Sequence, residues 1–400
     1  MRPYCWRKYI KYRNYMAFYF RLGNIPEKRH IQFKQPDGSL YHEELVSSLG
    51  FSGIYSNLYH IHPPTRVAEV GPVESYNIKI AEDYPLKHTH LNTSGVTTTG
   101  EDFLDARKVL MVNDDVAISI CHPSGKTMDY YYKNGEADEV IFVHDGSGTL
   151  YSQFGRLKIN KGDYVVIPRT TIYKIDWNDT QVKLQITESR AAVETVSRYR
   201  NNLGQLLEHS PYCERDIHPP EALDTEGGEG KFLVKIKMRG NLYHYIYDHS
   251  PFDVVGWDGF LYPYKLSIYD FEPITGRIHQ PPPVHQTFQA NNLVICSYVP
   301  RLFDYHPLSI PVPYNHSNID SDEVLYYVEG EFMSRKGIEV GSFTLHPGGL
   351  PHGPHPGSIE KNIGKKETME YAVMIDTFRP LKLTEEALKY NDENYPMSWR

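Results

Sequence analysis

The chain contains one motif twice, and this internal repeat constrains its fold more than any other feature. Residues 132–146, YKNGEADEVIFVHDG, align without a gap on residues 316–330, HSNIDSDEVLYYVEG. A second block, GDYVVIPRTTIY at 162–173, aligns on GSFTLHPGGLPH at 341–352. In both copies, β-branched and aromatic residues form short runs bounded by glycines, which is typical of strands. The repeat therefore predicts two similar β domains in one chain.

The second copy carries three side chains that can bind a metal ion. His316 precedes Glu323 by seven positions, and His352 follows two turns marked by Gly330 and Gly341. Two imidazoles and one carboxylate are the ligand set of mononuclear non-haem iron(II) centres, which leave coordination positions open. The same donors also suit zinc. We therefore expect a metal centre, Fe(2+) in our interpretation, in the second domain.

The first copy keeps the carboxylate and lacks both imidazoles. Glu139 aligns with Glu323, whereas Tyr132 and Tyr173 stand at the positions of His316 and His352. A protonated phenol is a poor ligand for iron(II). The sequence therefore predicts two similar β domains and one metal.

Composition excludes several classes of function. The net charge of −8 argues against a general nucleic-acid binder, which needs a basic face for phosphate. No apolar run approaches the roughly 18 residues of a membrane span. The four cysteines are far apart and lack CxxC spacing, so we expect a reducing, cytoplasmic setting.

Length and local composition suggest a division of the 400 residues into four parts. Residues 1–16 are predicted to be an N-terminal extension, 17–185 an N-terminal barrel without metal, 186–230 a linker region, and 231–400 a C-terminal barrel that carries the iron site. Glycine-rich EGGEG at 226–230 marks the last boundary.

Two further histidine pairs have metal-like spacing. His60 and His62 flank one residue, as do His88 and His90, but no carboxylate-rich segment accompanies either pair. We interpret the first pair as structural or subunit-contact residues and assign a metal to neither pair.

The second copy resembles the paired motifs of the cupin superfamily. Glu323 is followed by six residues and Gly330, and the second motif is matched by Gly341, Pro347, Gly349 and His352. The resemblance implies a mainly β chain with two cupin-type barrels of the jelly-roll, or double-stranded β-helix, kind. Extra strands and few short helices are expected beside them.

The chain also resembles the homogentisate 1,2-dioxygenases over most of residues 17–400. The segments that carry this resemblance are IPEKRHIQF, HQPPPVHQTFQANNLVICSYVPR and the block 314–357. Members of that family use iron(II) and O₂ to open the ring of homogentisate to maleylacetoacetate in tyrosine and phenylalanine breakdown. The resemblance implies that His316, Glu323 and His352 hold the iron, and that trimers pair into hexamers.

The same resemblance assigns roles around the metal. The family's acid/base histidine falls on His279, although His285 is a second candidate for that role. Substrate contacts fall on Tyr314, on His352 and, by a looser match of a family lysine, on Arg335. The first histidine and the glutamate are seven residues apart here and six in the animal members, which leaves the exact substrate open.

Two other interpretations remain at this point. One keeps the iron site and changes the substrate to gentisate or another hydroxylated aromatic acid. The other is a bicupin that is non-catalytic or that holds zinc, since two histidines and a glutamate also bind zinc.

Overall fold

The computed structural model describes residues 18–125, 127–332 and 337–400. The predicted extension at residues 1–16 and the predicted substrate contact Arg335 lie outside these ranges.

Strands provide most of the regular structure, as the sequence predicts. Those before residue 190 are β1 (Phe20–Gly23), β2 (His42–Ser47), β3 (Tyr55–His60), β4 (Val67–Ser75), β5 (Thr89–Leu91), β6 (Arg107–Val112), β7 (Val116–Cys121), β8 (Tyr131–Asn134), β9 (Asp138–Asp145), β10 (Gly148–Ser152), β11 (Gly155–Ile159), β12 (Asp163–Ile167), β13 (Tyr173–Trp177) and β14 (Lys183–Ser189).

The remaining strands are β15 (Glu194–Thr195), β16 (Glu229–Met238), β17 (Asn241–His249), β18 (Val254–Gly259), β19 (Tyr264–Ser267), β20 (Gln286–Gln289), β21 (Leu293–Tyr298), β22 (Arg301–Leu302), β23 (Asp322–Glu329), β24 (Phe343–His346), β25 (Glu367–Thr368), β26 (Tyr371–Thr377) and β27 (Lys382–Leu383).

Helices in the described ranges are short. Helix α1 is Ser358–Asn362, and the 3-10 turns are Leu49–Phe51, Ser197–Tyr199, Glu214–Asp216, Ile268–Asp270, Pro282–His285, Ala387–Tyr390 and Tyr395–Met397. Within the described chain, no helix has the length and apolar content needed to cross a membrane.

The first barrel is built from two seven-stranded sheets. Their strand orders are β11-β10-β13-β8-β16-β17-β4 and β19-β12-β9-β14-β7-β6-β27. Leu150 and Ile175 of one sheet and Ile141 and Val165 of the other belong to one buried cluster, so apolar side chains fill the interior.

The second barrel contains a third seven-stranded sheet, β15-β20-β21-β26-β23-β24-β5. The two-stranded sheet β22-β25 lies in the same part of the chain. A four-stranded sheet, β1-β18-β3-β2, completes the fold at the N-terminal end. The chain is therefore mainly β, with two cupin-type barrels.

The two barrels pack sheet against sheet. Strand β9 lies at this contact, and both of its faces are buried. Alternate residues of a strand point to opposite sides. Ile141 points into the first barrel, whereas Phe142 packs in the cluster shared with the second barrel and lies with its ring centroid 6.3 Å from that of Tyr326. A buried hydrogen bond of 2.9 Å joins the hydroxyls of Tyr164 and Ser297 across the same contact.

Sheet membership differs from the predicted division at residue 230. Strands β16 to β19, which the sequence interpretation placed in the C-terminal barrel, pair with strands of the N-terminal part. In the other direction, β5 joins the sheet of the second barrel, and β27 joins a sheet of the first. Strands β5, β19 and β27 lie at sheet edges, whereas β16, β17 and β18 each pair on both sides. Each exchanged strand pairs with backbone groups that would otherwise be unpaired.

The two copies of the motif have the same local pairing. Tyr132 of β8 is the partner of Tyr173 of β13, and His316 forms an isolated bridge with His352. The structure thus confirms that the repeat specifies the same strand arrangement twice.

Candidate metal centre

Local strand pairing brings the three predicted ligands together. Glu323 is the second residue of β23, while His316 lies in the loop before it and His352 in the segment after β24. The amide N–H groups of His316 and His352 each donate to the other's carbonyl, at 2.8 and 2.9 Å. Gly349, with a φ of 80°, forms part of the turn that returns the chain from β24 to His352.

The donor atoms of the three side chains lie close enough to share one ion. One ligand atom from each of His316, Glu323 and His352 lies within 4.8 Å of the others. The distance from His316 Nε2 to Glu323 Oε2 is 3.6 Å, and that from His352 Nε2 to Glu323 Oε1 is 3.5 Å. Two donors on one metal at about 2.0–2.2 Å lie roughly 3–3.5 Å apart. The residues present therefore fit a bound metal.

Both imidazoles are oriented by the backbone. His352 Nδ1 lies 3.1 Å from the carbonyl oxygen of Leu350, and His316 Nδ1 lies 3.3 Å from that of Tyr314. An Nδ1–H that donates to a carbonyl leaves Nε2 as the lone-pair donor, which is the usual arrangement of metal-binding histidines. The buried Nε2 of His352 has no hydrogen-bond partner among the residues that the structure describes. A metal would supply that partner.

Glu323 is held as a carboxylate by its neighbours. Burial opposes its ionisation, but the neighbouring imidazoles of His316, His346 and His352 outweigh this and hold its pKa well below the usual range. His346 Nδ1 lies 2.8 Å from Glu323 Oε1, and His346 Nε2 lies 3.1 Å from the Tyr395 hydroxyl. The C-terminal segment thus helps to orient the ligand set from behind.

A cavity of about 480 Å³ opens beside the ligand set. His316 and Glu323 line it, together with the predicted acid/base residue His279 and the predicted substrate contact Tyr314. The rings of His279 and Tyr314 touch at 4.9 Å between centroids. His352 is buried, and its neighbour Gly353 lines the cavity.

His285 lines the same cavity in a different environment. It is 6% exposed and packs with its ring centroid 4.8 Å from that of Tyr298. Burial and the charges of Arg301 and His279 lower the pKa of His285 to about 3, so its imidazole is neutral. The side chain of His279 is 43% exposed and lies 3.7 Å from the carboxylate of Asp304.

Two further residues in the cavity were missed by the sequence interpretation. Asp376 is the cross-strand neighbour of Glu323, and its pKa is raised by burial and by the charge of Glu323. Arg301 lines the cavity beside Glu370, with 3.4 Å between charged atoms. Extending the internal repeat to ITES at 186–189 and MIDT at 374–377 would have found Asp376, because the register then places it on Glu188.

Comparisons with known proteins find relatives of both parts of this chain. A family model for the N-terminal part of homogentisate 1,2-dioxygenase matches residues 51–270, more than half of the chain. This match ends after β19, in agreement with the sheet membership of β16 to β19 in the first barrel.

Individual relatives extend the match to the second barrel. A Saccharolobus solfataricus protein named "Putative dioxygenase" is 42% identical over 96% of this chain and 99% of its own length. A homogentisate 1,2-dioxygenase of Legionella pneumophila is 26% identical over 66% of this chain and 65% of its own length. Among solved structures, a cupin 2 conserved barrel domain protein from Leptotrichia buccalis covers 76% of this chain and 100% of its own, with a TM-score of 0.33 and 12% identity. On the family-model match and the 42% identity, the chain belongs to the homogentisate 1,2-dioxygenase family.

Proposed function

We propose that this protein is an iron(II)-dependent dioxygenase that opens the ring of homogentisate with O₂ to give maleylacetoacetate. The observation that carries the proposal is the group of His316, Glu323 and His352 at the wall of a cavity large enough for a small aromatic acid. Two histidines and one carboxylate on one side of an iron leave positions for substrate and O₂. A bound iron(II) would activate O₂ by passing electrons to it from the substrate ring, which is oxidised, and the side chains of this site cannot do this.

The ligand set is suited to a dianionic substrate. Glu323 contributes one negative charge, and both histidines are neutral as ligands, so an iron(II) site would carry a net charge of about +1 before substrate binds. Homogentisate can offer a phenolate and a carboxylate, which would compensate that charge.

His279 is the better candidate for the acid/base role. It lines the cavity, and the carboxylate of Asp304 lies 3.7 Å from its Nδ1. An imidazole at the wall of an active-site cavity can accept a proton from a substrate and return it. His285, with a pKa of about 3, would accept a proton from a phenol much less readily. We therefore assign proton transfer from the substrate phenol to His279.

Tyr314 and Arg301 are placed to orient the substrate. Tyr314 presents its hydroxyl-bearing ring beside His279 at the cavity wall. Arg301 is a described cation at the same wall and could bind a substrate carboxylate in place of, or together with, Glu370.

Reconstitution tests the proposal directly. The metal-free protein is loaded with Fe(II) or Zn(II) without oxygen, and O₂ uptake and maleylacetoacetate absorbance are then followed with homogentisate and with gentisate. We expect turnover only with Fe(II) and homogentisate. Uptake with gentisate alone would favour the other aromatic-acid substrate.

A zinc or non-catalytic bicupin is the second candidate, because the same donors bind zinc. Metal analysis of the purified protein distinguishes the two, since one iron per chain supports the dioxygenase and zinc opposes it. We also propose a homo-oligomer of trimers or hexamers, which light scattering on the purified protein would measure.

A further inference from the structure

A second set of metal-type donors lies in the N-terminal part of the chain. One ligand atom from each of His62, His249 and Asp253 lies within 4.8 Å of the others. His62 is in the loop after β3, His249 is the last residue of β17, and Asp253 immediately precedes β18. Among the described residues, the only other group with this geometry is the metal centre above.

The donor atoms of this second group also lie close enough to share one ion. His62 Nδ1 lies 3.1 Å from Asp253 Oδ2, and the ring centroids of His62 and His249 are 4.8 Å apart. Donors that share a zinc ion lie roughly 3–3.5 Å apart. The three side chains can therefore bind one ion without rearrangement of the backbone.

Neighbouring groups orient two of the three donors. His60 Nδ1 lies 2.7 Å from Asp253 Oδ1, the oxygen that does not face His62. Asp248 Oδ1 lies 2.9 Å from His249 Nδ1. A carboxylate that accepts from one ring nitrogen leaves the other as a metal donor, a pairing common around protein-bound zinc.

The three side chains of this group are largely buried, which is uncommon for histidine and aspartate residues that have only a surface role. The side chains of Asp253, His249 and His62 are 0%, 2% and 15% exposed. The carboxylate of Asp253 is enclosed between His60, which lies on Oδ1, and the ring and backbone N–H of His62, which lie on Oδ2.

We propose that His62, His249 and Asp253 form a second metal site that binds Zn²⁺ or another divalent ion that prefers imidazole. Such an ion would hold the loop after β3 against the β17–β18 turn, joining segments that are 191 residues apart in sequence. Three protein donors leave a fourth tetrahedral position, which a water can fill beside the partly exposed His62. This site is independent of the proposed ring-opening reaction.

Zinc stoichiometry tests the site. A Glu323→Gln parent, which weakens the first centre, is stripped with chelator, loaded with Zn²⁺, desalted and analysed for metal. We expect His249→Ala in that parent to bind one zinc per chain less. The control is His244→Ala, which removes another histidine of β17 that is paired with Glu74 rather than placed in the cluster. It should bind as much zinc as the parent.

Equal zinc in the parent and in His249→Ala overturns the proposal, as does a parent that binds none. Should His249→Ala fail to fold, His62→Gln replaces it, because that side chain is the most exposed of the three. Binding to the native state raises Tm. Zinc should then raise the Tm of the stripped parent more than that of His62→Gln, and equal shifts would overturn the site.

Discussion

The two barrels place a glutamate at the same strand position and surround it differently. In the first, Glu139 Oε1 accepts from Arg107 at 2.6 Å, and Glu139 Oε2 accepts from the Tyr173 hydroxyl at 2.6 Å. In the second, Glu323 faces the Nε2 atoms of two histidines at 3.5 and 3.6 Å. One carboxylate has its charge compensated by the protein, and the other has room for an ion.

The two barrels also differ in the strand that pairs with each glutamate, β14 in the first and β26 in the second. Glu188 is the cross-strand neighbour of Glu139, and Arg107 and Lys237 both pair with it. Burial opposes the ionisation of Glu188, yet these two cations lower its pKa to about 2. Asp376 holds the matching position beside Glu323, and its pKa is raised.

The interiors of the two barrels also differ, because different side chains stand at the aligned positions. Tyr132 and Tyr173 are fully buried, with ring centroids 5.4 Å apart, and help to fill the first barrel. Histidines at these positions are smaller, and the second barrel contains the cavity of about 480 Å³. The comparison teaches that a few substitutions on one scaffold separate a packed structural domain from a candidate catalytic one.

Removing a predicted metal ligand should have the largest effect. His316→Ala should abolish iron binding and turnover, because one imidazole and one carboxylate rarely hold iron(II) against buffer and chelators. Iron content and O₂ uptake with homogentisate measure this, with circular dichroism as the check of folding. Full activity in the variant would contradict the assignment of His316 as a metal ligand and, with it, the proposed difference between a barrel that binds metal and one that does not.

Replacing the proposed acid/base residue should have the next largest effect. His279→Gln should lower kcat by roughly 10²–10⁴-fold with iron content unchanged, as for the loss of a general acid/base. His285→Gln is the matched comparison on the same cavity wall and should lower kcat less. The reverse order would transfer the role to His285.

Breaking the ion pairs of the first barrel should cost stability rather than iron. Arg107→Met leaves Glu139 and Glu188 without this buried cation, and such losses destabilise by about 3–5 kcal/mol. Thermal unfolding should show a lower Tm, while metal analysis at a permissive temperature should show the parent's iron content. A loss of iron with an intact fold would mean that the first barrel takes part in metal binding.

Tyr132→Phe should have the smallest effect. The buried hydroxyl of Tyr132 has no hydrogen-bond partner among the described residues, so its removal should leave Tm and iron content nearly unchanged. Tyr173→Phe is the control, since it breaks the bond to Glu139 and should cost about 1–3 kcal/mol. Iron loss in Tyr132→Phe would contradict the prediction of one metal.

The sequence determined the repeat, the mainly β class and the ligand types at positions 316, 323 and 352. These are local patterns, because strand period, turn glycines and donor chemistry can be read within a few residues. The exchange of strands between the barrels could not be read in that way. Edge strands β5 and β27 are short, and their partners are chosen by contacts distant in sequence.

Only the tertiary structure decided which distant side chains meet. Asp376 is set beside Glu323, Arg107 between two glutamates, and Asp253 against His62 by strand register and turn geometry. The pKa changes follow from those contacts, since burial and neighbouring charge are properties of the folded chain and not of any short segment. The sequence therefore determined the donors of the first metal centre, and the fold decided the charges, the cavity and the second group of donors.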